Sequence, residues 1–526
     1  MSDSRFRVLR IVGVILLFVA TVILPVTGCR HVSLPDNASR LDHSALVIVL
    51  DGLRPDYVTP ELMPNLHALG ERGVVGRNHH SVFPTVTRVN AASIVTGSYP
   101  ERHGLMGNSV YFPEISPDTK FSTGNATHLQ RIEAATGGRL LTAPSLGEIL
   151  EQAGRELLAV SAGSSGSAFL LNHKTAGGGL VHTELVLPAS NRTRVLEMLG
   201  PAPAEAKPNA ACNRRAVDAY LKIGLGDIQP HVTLMWLSDP DHTQHEEGVG
   251  APLTLQSIRL VDAEIGRIVA ALAEKGLRDK VNIFVTSDHG FSTHTGGAYL
   301  DGLLKSEVQS GNVFIVEGGI YVKNRDAERI HQIVQLLQKT PWVGAIFTRP
   351  ARPGRSEGSI PGTLSLDLAH WSHARAADIL VSADWTDGVN QFGYRGTSTQ
   401  SGVAGHGTSS PYDVHNTLVA AGPDIKSGVV SGVPTGNVDF APTLCFLTGI
   451  RPPANMNGRV LMELLRDGPS PDSVRVQHLV HHTKVGSEAG EYRLELSHSI
   501  VNGTDYLNFT KVKRHIVAHD RLAPAR

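Results

Sequence analysis

Seven side chains in this sequence are of types and at spacings that could do chemistry together. Asp51 follows the apolar run 45–50, Asp241 follows the run 232–237, and Asp288 with His289 follows the run 281–286. His245 stands four residues after Asp241, His406 lies in the Gly/Ser-rich stretch 397–410, and Thr87 closes the stretch Phe83-Pro-Thr-Val-Thr87. Carboxylates gathered on one rim repel each other, and a cation relieves the repulsion. Carboxylate and imidazole donors without thiolate suit zinc better than manganese or iron. Six such ligands exceed one tetrahedral zinc and fit two metals sharing a substrate oxygen. Paired metals about 4 Å apart stabilise both the attacking and the leaving oxygen of an in-line phosphoryl transfer. A threonine oxygen on one of them would have its pKa lowered, which makes a hydroxyl a nucleophile near neutral pH. Taken singly, Asp-His-Gly is a turn, Asp-x-x-x-His a surface pair and Thr87 a helix cap. Four such pieces at strand ends of one chain are hard to explain as turns.

The elements that must position these residues are legible. The runs 45–50, 157–162, 232–237 and 281–286 are continuously apolar, as in parallel strands buried on both faces. A late strand is expected at 418–421. Helices are predicted at 62–73, 146–153, 255–275 (apolar face Ile258, Val261, Ile265, Ile268 and Leu272, stopped by Gly276), 439–447 and 459–465. Residues 89–96 read as the first turns of a helix. That puts Thr87 at or near its N-cap, where outward N–H groups favour an anion. The stretch 163–167 misses the G-x-S-x-G spacing and reads as a loop. Alternating buried strands and helices give an α/β domain with a largely parallel central sheet and helices on both faces. Sites in such sheets form outside the carboxyl ends of the strands. The region 303–395, with strands at 313–316 and 378–381 and a helix at 327–338, reads as an inserted cap. Residues 467–526 read as a β-rich extension whose strands lie at an edge.

The chain has 526 residues, 41% apolar and 18% charged, with net charge −1. That is enough to bury a large core, and no broad basic surface argues for nucleic acid. The 25 His are many for this length, a weak pointer to metal. Cys29, Cys212 and Cys445 cannot make a disulfide framework or a thiolate zinc site; they leave either one Cys212–Cys445 bridge or two free thiols. Arg5, Arg7 and Arg10 precede the apolar run 11–26, which is short for a membrane span and fits a signal-peptide core. It ends in Val26-Thr-Gly-Cys29, similar to a bacterial lipoprotein box. The expected division is a signal peptide over 1–28, a lipidated Cys29 opening a tether over 29–43, and a catalytic domain over 44–466. The protein would then be exported and membrane-anchored, facing the periplasm or cell exterior. Five Asn-x-Ser/Thr sequons would matter only in a eukaryotic secretory pathway.

As a set, the motifs resemble the alkaline phosphatase superfamily, and within it the nucleotide pyrophosphatase/phosphodiesterase group. The resemblance rests on Val49-Leu-Asp51-Gly52, Pro84-Thr-Val-Thr87, Ser93-Ile-Val-Thr-Gly97, Tyr99-Pro-Glu-Arg-His-Gly104, Pro240-Asp241-x-x-x-His245, Thr286-Ser-Asp288-His289-Gly290, Gly405-His406-Gly407 and the segments 439–443 and 458–461. It implies an alkaline-phosphatase-like fold with two Zn2+. Asp241, His245 and His406 would hold one zinc. Asp51, Asp288 and His289 would hold the other, with Thr87 as its further ligand and as nucleophile. Asn108 matches the asparagine that donates to a non-bridging phosphoryl oxygen. The implied reaction is a double displacement through a phosphothreonine on a small phosphoester, a nucleotide or other phosphodiester. Where the group usually reads Thr-Phe-Pro-Asn-His, this chain reads Thr87-Arg88-Val89-Asn90-Ala91. Arg88 therefore replaces the Phe of the leaving-group pocket; it either pairs with a phosphate oxygen, which favours a doubly charged monoester, or faces solvent. Thr-x-x-Asn with the same ligands also resembles phosphonoacetate hydrolases. The leading expectation is an exported zinc phosphodiesterase. Alternatives are a phosphomonoesterase or phosphonate hydrolase, and a non-catalytic lipid-anchored binding protein, which would be expected to have lost a ligand or the nucleophile. A sulfatase is disfavoured, because residue 87 is neither Cys nor Ser.

Overall fold

The apolar run after the tether becomes strand Ser44–Leu50, at the middle of a ten-stranded sheet. Its side chains alternate between two cores: Ala45, Val47 and Val49 pack on one face, Leu46, Ile48 and Leu50 on the other. Each such burial is worth on the order of 1.5–3 kcal/mol, so both faces must be covered by helices. Helix Thr87–Thr96 covers the first face with Ala91, Ala92, Ile94 and Val95. Helix Pro252–Glu274 covers the second with Ile258, Val261, Ile265, Ile268 and Leu272. These features come from a computed structural model that describes residues 43–297, 299–487 and 490–516. The expected signal peptide, Cys29 and the tether up to residue 42 lie outside the described residues.

Across the sheet the strands run in the order Val429–Ser431, Val74–His80, His415–Ala421, Val281–Thr286, Ser44–Leu50, Val232–Leu237, Leu157–Ser161, Gly178–His182 and Val186–Leu187. The pairs around Ser44–Leu50 are parallel. His415–Ala421 is antiparallel to both its neighbours, and Val186–Leu187 is an antiparallel edge, so the sheet is mostly rather than wholly parallel. Residues 313–383 build a separate five-stranded sheet, with helix Ala327–Lys339 capped by the Asp326 side chain. A four-stranded sheet ends in Ala404–Gly405, immediately before His406.

Four expectations are corrected. The 163–167 stretch is not all loop: Ser164 caps a helix over Ser165–Leu171 by accepting from the Ser167 N–H. The 459–465 helix shrinks to one 3-10 turn, Met462–Leu464. Arg459 instead pairs with Glu463 at 2.6 Å and donates to the Tyr506 hydroxyl at 2.9 Å. The C-terminal strands do not edge the main sheet. They form their own antiparallel sheet (Val476–Ser487, Gly490–Val501, Thr504–Ile516) that seals against both the core and the inserted sheet, through Tyr506 to Asp439 and Tyr492 to the Gly344 carbonyl. Helix 62–73 contracts to Pro64–Glu71, where proline at the first position sets its start. Cys212 and Cys445 are both free and buried, in opposite cores, which closes the disulfide alternative.

Two deeply buried imidazoles couple this core to pH. Burial pushes His79 and His103 down to about 3. The unfolded chain takes up these protons near pH 6.5, whereas the folded chain resists until about pH 3. Stability from this source is therefore complete above pH 6.5 and lost as pH falls, by up to about 1.4 kcal/mol per ring per pH unit. Thermal melts of chelated protein should show a midpoint declining steadily from pH 6.5 to 4.5. A midpoint that stays level over that range would show the rings are not held neutral.

Candidate metal centre and active site

Three adjacent parallel strands bring the acids together. Ser44–Leu50 ends at Asp51, its neighbour Val232–Leu237 leads to Asp241, and its other neighbour Val281–Thr286 leads to Asp288 and His289. Asp51 turns away from its strand through Gly52, at φ +70°. A Cβ there would meet the Asp241 side chain at 3.0 Å, so only glycine allows the two strand ends to approach. The Gly52 N–H donates to Asp288 Oδ1 at 3.1 Å, and the Trp236 indole donates to Asp51 Oδ2 at 2.8 Å.

The three histidines are held alike. The Nδ1 of His289, His245 and His406 bonds the carbonyl of Gly290 (2.9 Å), Ala404 (3.1 Å) and Thr85 (2.8 Å). A carbonyl only accepts, so each Nδ1 carries the proton and each Nε2 presents a lone pair, the arrangement metal-binding imidazoles use. Those Nε2 atoms point at carboxylates: His289 lies 3.1 Å from Asp288 Oδ2 and 3.5 Å from Asp51 Oδ1, His245 3.2 Å and His406 3.4 Å from Asp241 Oδ1. Asp51 Oδ1, Asp241 Oδ1 and Asp288 Oδ2 are buried and accept no hydrogen bond. Carboxylate oxygens facing these nitrogens without a hydrogen bond need positive charge between them, and the donor set fits metal. Two groups emerge, Asp51–Asp288–His289 and Asp241–His289–His406, with His245 joining the second from the rim. His289 and His406 stack at 3.5 Å between them. Burial, and then Asp288 and Asp241, push the Asp51 carboxyl well up; burial pushes His406 down to about 4.

Thr87 is the first residue of helix Thr87–Thr96, with its hydroxyl 3.4 Å from His289 Nε2. Val86 at the N-cap offers no side-chain cap, so the first-turn N–H groups other than that of Arg88 remain open to an anion. Gly97 at φ 62° ends the helix. The Arg88 N–H donates to Asn108 Oδ1 at 3.0 Å; the amide oxygen is thereby taken, and what Asn108 offers a ligand is its Nδ2 donor. Arg88 is half-buried and lines, with Thr87, Asn108, Asp241 and His406, a cavity of about 470 Å³. It does not simply face solvent. The structure thus brings together all nine candidate site residues from Asp51 to His406; Cys29 lies outside the described residues.

Several residues here gave no sequence signal. Thr85 ties the His406 loop to Thr87: its hydroxyl donates to the Thr408 carbonyl and accepts from the Gly407 N–H. Asn90 braces the helix on the Val82 and Val86 carbonyls, and Asn437 bridges Asn90 to the Asp288 carbonyl. Glu317, in a tight Glu-Gly-Gly turn of the inserted sheet, accepts from the Asn108 N–H at 3.1 Å inside the cavity, where desolvation raises its carboxyl. Only the Thr-x-x-Asn spacing could have pointed to Asn90. The others depend on tertiary approach.

The sequence model of the "Type I phosphodiesterase / nucleotide pyrophosphatase" family matches residues 45–386. A mouse protein named bis(5'-adenosyl)-triphosphatase enpp4 is 23% identical over 440 residues, covering 82% of each chain. Among solved structures, murine ectonucleotide pyrophosphatase/phosphodiesterase 5 in an inactive form with AMP aligns at TM-score 0.58 and 19% identity, over 80% of this chain and all of that one. A mutant of the alkaline phosphatase PafA aligns at TM-score 0.63 and 16% identity, over 80% and 98%. The two structural matches establish the fold.

Proposed function

This chain belongs to the type I phosphodiesterase/nucleotide pyrophosphatase family, metal-dependent hydrolases of phosphoric esters, and we propose that it is an exported two-zinc phosphodiesterase acting through a phosphothreonine at Thr87. The observation that carries this reading is the set of three orphaned carboxylate oxygens and three Nε2 lone pairs beside one helix-initial hydroxyl. Asp51, Asp288 and His289 would hold one metal, and Asp241, His245 and His406 the other. When bound, the metals supply Lewis-acid stabilisation of charge on the reacting oxygens.

The chain's own groups do the rest. The helix start and the Asn108 Nδ2 donate to the non-bridging oxygens of the phosphoryl group. Thr87 Oγ1 gives up its proton and attacks phosphorus opposite the leaving oxygen, which takes a proton and departs into the cavity as the alcohol; water then breaks the threonine–phosphorus bond, releasing the remaining phosphomonoester and restoring the hydroxyl. Nucleotide esters are the proposed substrates, supported by what the relatives' names state of those proteins.

A second reading, a monoesterase, is favoured by Arg88, whose buried Nε makes no hydrogen bond beside the cavity. Hydrolysis of bis- and mono-p-nitrophenyl phosphate by metal-counted protein decides between them. A monoester preference above about a hundredfold would overturn the diesterase reading. A charged hydrogen bond is worth about 1.5–3 kcal/mol, so Arg88→Ala should cost roughly 10–100-fold in kcat/KM on whichever ester carries the extra charge, and less on the other. Equal losses on both would show that Arg88 does not read ester charge.

Lipid anchoring at Cys29 is proposed from the sequence alone. Among the described residues no helix is long and apolar enough to cross a membrane. Cys29→Ala should free the protein from membranes, and continued membrane retention would count against the anchor.

A further inference from the structure

A second cluster of metal-type side chains lies outside the site described above and shares no residue with it. His370 sits in the turn before the last strand of the inserted sheet; His498 and Asp505 come from facing strands of the C-terminal sheet. His498 is fully buried, and its Nδ1 lies 2.5 Å from Asp505 Oδ1. His370 Nε2 approaches Asp505 Oδ2 at 3.6 Å, and its Nδ1 stands 3.6 Å from Glu101 Oε1. Neither contact is short enough to be a hydrogen bond. The Nε2 atoms of both His370 and His498 are buried without any partner. One donor atom from each of His370, His498 and Asp505 falls within 4.8 Å of the others.

Two features hold these rings in place. The ladder between the last two strands shifts register between Ser497 and His498, the kind of irregularity that re-aims a side chain. His370 adopts φ 50° and stacks on Tyr99 at 4.1 Å. A left-handed non-glycine residue fixed by an aromatic face is uncommon without a reason for its placement.

We propose that His370, His498 and Asp505 form a structural zinc site that fastens the C-terminal sheet to the body of the protein. Two imidazoles and a carboxylate are zinc-type donors. Zinc at about 2.0–2.2 Å from each would set the donor atoms roughly 3.3 Å apart, between the 2.5 Å from His498 Nδ1 to Asp505 Oδ1 and the 3.6 Å from His370 Nε2 to Asp505 Oδ2. It would also give His370 Nε2 the partner it lacks, with His498 binding through the Nδ1 that now faces Asp505. The His481 ring, edge-on to His498 at 5.7 Å, is a candidate for a fourth ligand.

The test is zinc counting on the full chain after loading with zinc alone. A triple variant, Asp51→Asn with Asp241→Asn and Asp288→Asn, removes the carboxylates of the proposed active centre and should still retain one equivalent. Adding His498→Gln should abolish it. No zinc in the triple variant would overturn the proposal. If the triple variant does not fold, wild type is compared with His498→Gln and with Asp505→Asn. Loss of one equivalent with unchanged bis-p-nitrophenyl phosphate turnover supports the site, and unchanged zinc content overturns it. Because the readout is stoichiometry, the result stands apart from the assignment of the reaction.

Discussion

Thr87→Ala should leave the metal content of the protein unchanged and lower phosphodiester turnover by about four orders of magnitude or more. The effect is expected to be this large because the hydroxyls nearest Thr87 along the chain are committed elsewhere. Thr85, two residues back, spends its hydroxyl on Thr408 and Gly407. Ser93 faces His103, inside the core. The variant should also fold normally. The Thr87 side chain does not cap its helix, and alanine is at home in a first turn. Thr87→Ser keeps a hydroxyl and should recover much of the rate, which separates loss of the nucleophile from loss of shape. Single-turnover assays with a radiolabelled phosphoester should trap label on wild-type protein and none on the alanine variant. Turnover that persists in Thr87→Ala would assign the attack to another group.

The second large effect concerns the metals. Chelation should abolish turnover, and zinc should restore it. Asp241→Asn and Asp288→Asn should each lower activity at least about a hundredfold, with one zinc fewer per chain. The same carboxylates make a stability prediction whose sign can be worked out. In metal-free protein, burial and then Asp288 and Asp241 raise the Asp51 carboxyl above its ordinary value of 3.8. The folded state then holds a proton that the unfolded state has released, so stability falls as pH rises from about 3.8 through the raised value. Bound zinc removes that repulsion. The increment in melting temperature on adding zinc should therefore grow with pH from about 4 upward. An increment independent of pH would mean that the three acids do not repel one another in the folded protein.

What was legible in the sequence was whatever obeys a period or sits at the end of one. Strands buried on both faces show as unbroken apolar runs, and the acids at their carboxyl ends stand out because charge there is unexpected. That logic located the central sheet and the acids that gather at the ends of its strands. It could not see that His415–Ala421 runs antiparallel, since an apolar run has no direction. It misjudged residues 459–465, where Arg459 is drawn out of a helical pattern by Glu463 and Tyr506, partners visible only in three dimensions. It gave the last strands an edge position because alternation marks one wet face and not which sheet the strand joins. Thr85, Trp236 and Glu317 were silent for a related reason. Each acts through a hydrogen bond to a residue far along the chain or to a loop whose path no local pattern records.

The three strands that carry the acids are neighbours in the sheet but strangers along the chain. The bonds that assemble the site join positions separated by 185, 236 and 321 residues. The full ligand set proposed for each metal of the active centre comes from distant parts of the chain, so those ions cannot nucleate folding as zinc does in small zinc-dependent modules. Collapse of the central sheet must come first, with its high contact order and slow kinetics. Metal capture is then a late event on a scaffold already built.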